Sequence, residues 1–334
     1  MRHACACFKP AADRFRSQTS NNAASARLLF HEGVNQFGGG GLVSDVVSRY
    51  RRNYGLGDEI GLEHVKLHEQ LEGRLTRELL ASTPELRWEV FSAAYTELYE
   101  SLPWLNRSDD SRPAWWTAAW LKLVPTQSDV IEVGSGRAAL LRDLVRSGHR
   151  CVATEISPER GSKHLAESDG LQWHITDGIH LASFEPDESF DVVISTQVIE
   201  HFHPDDLPAH LENTRRILRP GGCYLFDTPH RSSGPHDLSR VFEYDRAQFM
   251  HLKEYTHDEL SNALSAAGFD TVKAVIAFRG FVVQTHIGLQ LLRLLDRFEE
   301  RAISRAKSKR MLRALLSKIG VSRNIWLAAY RKSA

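Results

Sequence analysis

Three acidic side chains follow short apolar runs, at spacings that place them at the tips of neighbouring strands. Glu132 lies two residues before Gly134, and Glu155 lies 21 residues after that glycine. Asp177 follows a third apolar run. Carboxylates at such tips accept hydrogen bonds from ribose hydroxyls, and the third can accept from an adenine amino group. Glu132 stands beside a glycine turn, where a carboxylate suits a ligand with a cationic end. The pattern therefore predicts a site for a nucleoside with a positively charged tail.

Two glycines flank Ser135 directly after the first apolar run. Gly134 and Gly136 can take backbone angles that a Cβ would forbid, and they let a ligand approach the main chain closely. A helix is expected over residues 138–146, with Gly148 as its C-terminal stop. A strand, a tight turn and a helix in this order are typical of a nucleotide site.

Histidines near the same predicted edge are candidate general bases. His201 follows the fourth strand, and His230 and His236 follow the fifth. The ordinary pKa of histidine, about 6.5, suits proton transfer near neutral pH. The alternative for His201 is a structural role, capping a helix or packing beside Glu200.

The apolar runs alternate with helical patterns at the spacing of βαβ units. This predicts an α/β fold with a Rossmann-like, mostly parallel sheet and helices on both faces. Residues 1–41 are expected to be a flexible leader, because they are polar and end in four glycines. Residues 42–112 are expected to be a helical extension, which either packs on the sheet domain or forms a lid over the acceptor pocket.

With these motifs in order, the chain resembles the class I S-adenosyl-L-methionine (SAM)-dependent methyltransferases, of the broad group with Val-Ile-Glu-His after the fourth strand. The resemblance covers about residues 113–278 and a last strand near 324–331. It implies a seven-stranded sheet in a domain over 113–334, with a helical, basic insertion at 279–322. It also implies SAM as the cofactor, bound at the carboxyl ends of the strands. The expected cofactor-binding residues are Glu132, Gly134, Ser135, Gly136, Glu155, Ile156, Asp177, Gly178 and Gln197.

A metal site is a weaker hypothesis. The stretch from Gln197 to His201, followed by His236, resembles the small-RNA 3′-end 2′-O-methyltransferases, which bind a divalent ion through two glutamates and two histidines. Some quinone-pathway O-methyltransferases also carry the Glu-His pair. Here Gln197 replaces the first glutamate, so no metal is predicted, and Glu200, His201 and His236 remain the candidate ligands.

The composition is that of an ordinary globular chain, with 42% hydrophobic and 25% charged residues. The four cysteines form no disulfide framework, which fits a reducing cytoplasm. From Arg293 onward there are 12 basic and 3 acidic residues, a net charge of +9, so the rest of the chain carries −9. Arginines recur every four residues from 293 to 305 beside an apolar stripe. The pattern indicates either a solvated helix face or peripheral contact with an anionic membrane through 291–318.

The leading hypothesis is a cytoplasmic methyltransferase that acts on a hydroxyl of a small molecule, a glycan or a lipid-linked intermediate. The first alternative is metal-assisted RNA 2′-O-methylation. The acidic main body argues against a nucleic-acid partner, since phosphate backbones favour basic grooves. The second alternative is a SAM-binding regulatory protein without turnover.

Overall fold

The described part of the chain, defined by a computed structural model, comprises residues 40–105, 114–158, 171–278, 281–305 and 324–333. The chain divides into two compact units, Met1–Val43 and Ser44–Ala334, and the sheet and the site lie in the second. The predicted leader falls almost wholly outside the described residues.

The helices of the described residues lie before, between and after the strands. They are α1 (Gly40–Tyr54), α2 (Leu62–Ala81), α3 (Arg87–Ser101), α4 (Ala114–Leu123), α5 (Ala139–Arg146), α6 (Leu207–Ile217), α7 (His257–Ala266) and α8 (His286–Arg305). The strands are β1 (Asp129–Val133), β2 (Arg150–Glu155), β3 (Gln172–Ile175), β4 (Phe190–Thr196), β5 (Leu218–Pro229), β6 (Thr271–Phe278), β7 (Phe281–Thr285) and β8 (Asn324–Tyr330).

The described strands form one sheet in the order β3-β2-β1-β4-β5-β8-β6-β7. The first five are parallel, and β8 runs antiparallel to both of its neighbours. The chain reverses its direction of travel across the sheet between β1 and β4. Ligands of open α/β sheets bind at such a switch point, outside the carboxyl ends of the strands. The predicted mostly parallel Rossmann-like sheet is confirmed.

Alternate residues of the central strands pack on opposite faces of the sheet. Ile131 and Val193 belong to one apolar core with Phe226, whereas Val192 and Leu225 belong to the other. These side chains are all 0–1% exposed. Burying such a residue stabilises the fold by about 1.5–3 kcal/mol. A sheet covered on both faces explains why the strands read as continuous apolar runs.

The sheet has one strand more than the seven expected, among the residues described. The difference lies in the segment 279–322, which was predicted as a helical insertion. Its first described residues form β7, which pairs antiparallel with β6 in a hairpin, and α8 follows. The run Phe-Val-Val-Gln-Thr is β-branched and short, which favours a strand.

Helices α2 and α3 pack against each other within the stretch predicted as a helical extension. Their shared core includes Leu75, Phe91 and Leu98, and it also contains Met250 from the segment between β5 and α7. The N-terminal helices are therefore packed against a segment that follows the sheet's fifth strand.

Helix α8 exposes apolar side chains and buries an acidic one on part of its surface. Leu291 and Phe298 of the predicted apolar stripe are 56% and 66% exposed, whereas Asp296 is only 1% exposed. Arg293 and Arg297 both pair with Asp258, so these two predicted membrane-facing charges are partly neutralised within the protein. Membrane contact through 291–318 stays a prediction, and residues 306–318 lie outside the described part of the chain. None of the described helices is both long and apolar enough to cross a membrane.

Candidate active site

The glycine turn after β1 meets the loop after β4. Gly134 has a φ of +65°, and a Cβ on it would lie 2.7 Å from Val198 Cγ2. Any side chain here would be strained and would also displace Val198. Gly136 likewise has a positive φ, of +56°. The turn is therefore fixed by two left-handed positions, as the sequence predicted for a close approach of backbone and ligand.

Glu155 is anchored at the tip of β2 by two main-chain amides. Gly136 N–H donates to its Oε1 at 2.6 Å, and Ile156 N–H donates to its Oε2 at 3.2 Å. The side chain is 6% exposed and lines a cavity of about 300 Å³ at the carboxyl edge of the sheet. Charge-assisted bonds of this kind fix a carboxylate in position, and its remaining lone pairs can accept from ribose hydroxyls.

Asp177 lines the same cavity after β3. Its Oδ1 accepts from the N–H groups of Ile179 and His180, both at 2.9 Å, and its Oδ2 bonds to the His180 ring at 2.6 Å. The next residue, Gly178, has a φ of +70° and also lines the cavity. The glycine therefore lies beside the oriented carboxylate of Asp177. An adenine ring would require such a small residue next to the group that accepts its hydrogen bond.

The remaining predicted cofactor residues take two different positions. Ile156 and Gln197 line the cavity, whereas Glu132, Ser135 and Gly136 are not among its described lining residues. Glu132 is 1% exposed, below the turn. Ser135 Oγ donates to its carbonyl oxygen at 2.9 Å. Glu132 and Ser135 therefore support the turn from its buried side, and their contact with a cofactor stays a prediction.

Gln197 adopts a left-handed conformation, with a φ of +55°, which is uncommon outside glycine. Its backbone N–H donates to Asp227 O at 3.0 Å, and its Nε2 donates to Asp227 Oδ2 at 3.2 Å. Strained residues held by such bonds cluster at functional sites. The side chain is thus oriented at the mouth of the cavity, next to the glycine turn.

His201 lines the cavity from the turn after β4. Its Nδ1 lies 2.8 Å from Met250 O. A carbonyl oxygen only accepts, so Nδ1 carries the proton, and the neutral ring keeps its basic lone pair on Nε2. The ring meets that of His251 edge to face, with centroids 4.8 Å apart. His201 therefore has the tautomer that a general base needs.

Glu200 and His251 lie close to His201, with one ligand atom of each residue within 4.8 Å of the others. Burial raises the pKa of Glu200 to about 7, and its Oε2 accepts from Thr228 Oγ1 at 2.9 Å. Burial lowers the pKa of His251, but the hydrogen bond that its Nδ1 donates to Glu254 and the charges of Glu200 and Asp237 outweigh this and raise the pKa to about 9. A protonated imidazole is therefore held among carboxylates next to the cavity.

The other two predicted bases do not line the cavity. His230 is fully buried, accepts from Ser232 N–H at Nδ1 and donates from Nε2 to Asp296, so both of its ring nitrogens are engaged. His236 bonds to Ser233, and burial lowers its pKa to about 4. The structure brings only His201 of the three to the cavity.

The candidate metal ligands group differently from the prediction. Glu200, His201 and His251 each offer one ligand atom within 4.8 Å of the others. His251 thus occupies the place that the sequence pattern assigned to His236. The Oε1 of Glu200 is buried without a hydrogen-bond partner, so this donor set fits a divalent ion in chemical type. The amide of Gln197 bonds instead to Asp227.

Several lining residues were not singled out by sequence reasoning as site residues. Glu72 comes from α2 and Tyr99 from α3, and Met250 follows β5. Tyr95 lies in α3, within the stretch that the sequence predicts only as a helical extension. Its phenol ring, in an otherwise apolar stripe, was a signal for a pocket wall, whereas nothing near Glu72 in the sequence indicates its position.

A family model described as a methyltransferase domain matches residues 107–274, which is half of the chain. The chain belongs to the class I SAM-dependent methyltransferases. SAM is therefore the cofactor of this methyltransferase. The glycine turn and the anchored carboxylate of Glu155 fit it, because a Cβ at Gly134 would close the approach to the backbone.

Several curated proteins are similar to this methyltransferase over part of their length. Dimethylglycine N-methyltransferase of Parasynechococcus marenigrum is 35% identical over 118 residues, 33% of this chain and 41% of that protein. Demethylmenaquinone methyltransferase of Tropheryma whipplei is 26% identical over 179 residues, 47% of this chain and 73% of that protein. Ubiquinone biosynthesis O-methyltransferase of Parvibaculum lavamentivorans is 31% identical over 115 residues, 33% and 44% of the two chains. The chain spans about two fifths of the first relative's length.

A solved structure with a similar fold is the 1,6-didemethyltoxoflavin-N1-methyltransferase of Burkholderia thailandensis. It aligns with a TM-score of 0.48 and 17% identity, over 75% of this chain and 92% of that chain. The names of the curated relatives include both an N- and an O-methyltransferase, so these relatives share methyl transfer and leave the acceptor of this chain open.

Proposed function

We propose that this methyltransferase moves the methyl group of SAM to a hydroxyl oxygen of a small molecule, a glycan or a lipid-linked intermediate, with His201 as general base. The observation that carries the proposal is the hydrogen bond that His201 Nδ1 donates to Met250 O, because it places the lone pair of the neutral ring on Nε2 of a cavity-lining histidine. A hydroxyl nucleophile must lose its proton during transfer, and an imidazole at this place can take it.

When bound, SAM supplies a methyl carbon on a positively charged sulfur that leaves as a neutral thioether. The new bond joins the hydroxyl oxygen to that carbon, the carbon–sulfur bond breaks, and the hydroxyl proton passes to His201 Nε2. Gly134 and Glu155 hold the donor, while the walls of the cavity hold the acceptor in line with the methyl group. Such positioning supplies much of the rate enhancement in a displacement with a reactive donor.

The test is a labelled-methyl transfer assay over pools of phenolic, glycan and lipid-linked acceptors. We expect the substitution His201→Ala to lower kcat by about 10²–10⁴-fold and to leave SAM binding unchanged. The control is His286→Ala, because His286 is exposed at the start of α8 and lies outside the cavity lining. Full activity in His201→Ala would refute the role of this base. Absence of transfer to any acceptor, with SAM binding intact, would favour the regulatory alternative.

A second candidate is metal-assisted transfer to a 2′-hydroxyl of RNA. The grouping of Glu200, His201 and His251 supports it, since a divalent ion held there would orient and acidify a hydroxyl. In that case His201 binds the ion rather than the proton. Treatment with a chelator separates the two proposals: activity that persists after removal of divalent ions excludes the metal, and activity restored by Mg²⁺ or Mn²⁺ supports it.

A further inference from the structure

One carboxylate of the cavity wall has no part in the transfer chemistry described above. Glu72 of α2 lines the cavity, and its side chain is only 9% exposed. One of its oxygens, Oε1, bonds to His68, whereas Oε2 is buried without a hydrogen-bond partner among the described residues. Leaving a buried carboxylate oxygen without a partner is costly, so such an atom in a cavity wall indicates a ligand that completes it.

A chain of buried hydrogen bonds orients this carboxylate. Trp104 Nε1–H donates to Tyr50 Oη at 2.9 Å, and Tyr50 Oη lies 2.9 Å from His68 Nδ1. His68 Nε2 lies 2.7 Å from Glu72 Oε1. An ionised carboxylate only accepts, so His68 donates from Nε2 and Tyr50 donates to Nδ1. Each of these three hydrogen bonds thus joins a donor to an acceptor, and the chain holds Glu72 as an acceptor through Oε1. Its second oxygen, Oε2, is left for a ligand.

The surroundings of Glu72 favour a cationic ligand. Burial raises the pKa of Asp237 to about 6, and the negative charge of Glu72 acts in the same direction. Glu200 and Glu254 lie beside His251 in the same region. Aromatic rings lie on the cavity wall nearby, since Tyr95 and Tyr99 of α3 are lining residues with ring centroids 6.2 Å apart. A carboxylate with aromatic faces is the combination that binds organic ammonium groups.

We propose that Glu72, with the rings of Tyr95 and Tyr99, binds an ammonium group carried by the methyl acceptor. The proposal depends on the proposed function only in placing the acceptor in this cavity. It adds that the acceptor is an amino alcohol or an aminophenol in chemical class, with one end held by Glu72 and its hydroxyl presented to His201.

The position of Glu72 favours the acceptor over the cofactor's own ammonium group. The α2 segment around it packs on the residue that orients His201, because Thr76 contacts Met250, whose carbonyl oxygen accepts from His201. A Cβ on Gly73 would also lie 3.7 Å from the Phe249 ring. The cofactor turn at Gly134 has its close contact with Val198 instead. Glu72 therefore belongs to the side of the cavity that carries the base.

The experiment measures binding to the full-length protein saturated with S-adenosylhomocysteine, by calorimetry. The probes are phenethylamine, which is cationic at neutral pH, and its uncharged analogue 2-phenylethanol. We expect the wild type to bind the ammonium at least about tenfold more tightly, as a charge-assisted hydrogen bond would give. Glu72→Gln should remove that preference, and Glu72→Asp should restore part of it. Phenethylamine has no hydroxyl, so this result is independent of whether oxygen is the methylated atom.

The matched control is Glu69→Gln, because Glu69 lies on the same helix but not in the cavity lining. It should keep the wild-type preference. Three outcomes would overturn the proposal: equal affinity of the wild type for both probes, an unchanged preference in Glu72→Gln, or an equal loss of S-adenosylhomocysteine affinity in Glu72→Gln. The last would assign the carboxylate to the cofactor. Unchanged cofactor binding and unfolding midpoint in Glu72→Gln confirm that the variant is folded.

Discussion

The two ends of the cavity are constructed in different ways. At the cofactor end, Gly134, Glu155 and Asp177 each follow their own strand and are fixed by bonds to nearby turns. At the acceptor end, Glu72 comes from α2, Tyr95 from α3, and His201 is oriented by a carbonyl 49 residues further along the chain. The first end depends on local turns, and the second depends on how distant segments pack. The positions of the cofactor-end residues therefore follow from the edge of the sheet, whereas those of the acceptor-end residues follow from the packing of the N-terminal helices.

The largest effect is expected from a change at the cofactor end. Gly134→Ala combines a left-handed φ with a Cβ 2.7 Å from Val198, so we expect SAM affinity to fall more than about 100-fold. Calorimetry measures this affinity for SAM. The control is Gly55→Ala, because Gly55 also has a positive φ, of +62°, but its Cβ would lie in open space. It should cost about 1 kcal/mol of stability and leave SAM binding intact. Normal SAM binding by Gly134→Ala would show that the turn does not contact the cofactor.

A smaller effect, dependent on pH, is expected at the acceptor end. The pKa of His251 is raised from 6.5 to about 9 in the folded protein, so the folded state holds a proton that the unfolded state releases first. Its contribution to stability is complete below pH 6.5 and is lost as the pH rises to about 9. We expect His251→Asn to be destabilised, on the order of 2 kcal/mol, at pH 6 and less so at pH 9.

Urea unfolding of both proteins at the two pH values measures this difference. If the difference in the free energy of unfolding between wild type and His251→Asn stays constant with pH, or widens towards pH 9, His251 is not protonated in the way we assign. Gly134→Ala should show no such pH dependence, because the glycine turn has no titrating group of its own. The pH response thus distinguishes the two ends of the cavity.

The smallest effect is expected outside both ends, on α8. Phe298 is 66% exposed, so Phe298→Ser should change the free energy of unfolding by less than about 0.5 kcal/mol and leave SAM affinity unchanged. If α8 contacts membranes, flotation of the wild type with anionic vesicles should respond to salt, and flotation of Phe298→Ser should be lower than that of the wild type. The control is Leu67→Ser, an exposed apolar residue of α2. Wild-type protein that does not float would remove the membrane hypothesis.

The sequence predicted the parts of the site whose geometry is local. The helix predicted over 138–146 begins one residue later in the structure, at Ala139. Gly178, Ile156 and Gln197 line the cavity as expected. Each lies within a few residues of a strand's end, so the pattern of strand and turn determines its place. The strand β7 was missed because a run of five residues carries too little periodicity beside a strong helical pattern.

The sequence by itself determined the cofactor end of the site, because glycines and acids at successive strand ends meet at one edge of any parallel sheet, and its resemblance to a known family indicated SAM and methyl transfer. Only the tertiary structure decided which histidine lines the cavity, that His251 rather than His236 stands beside Glu200, and that Glu72 lines the cavity. These groups come from helices and loops far apart in the chain. Their meeting depends on side-chain packing between α2, α3 and the segment after β5, which no local spacing encodes.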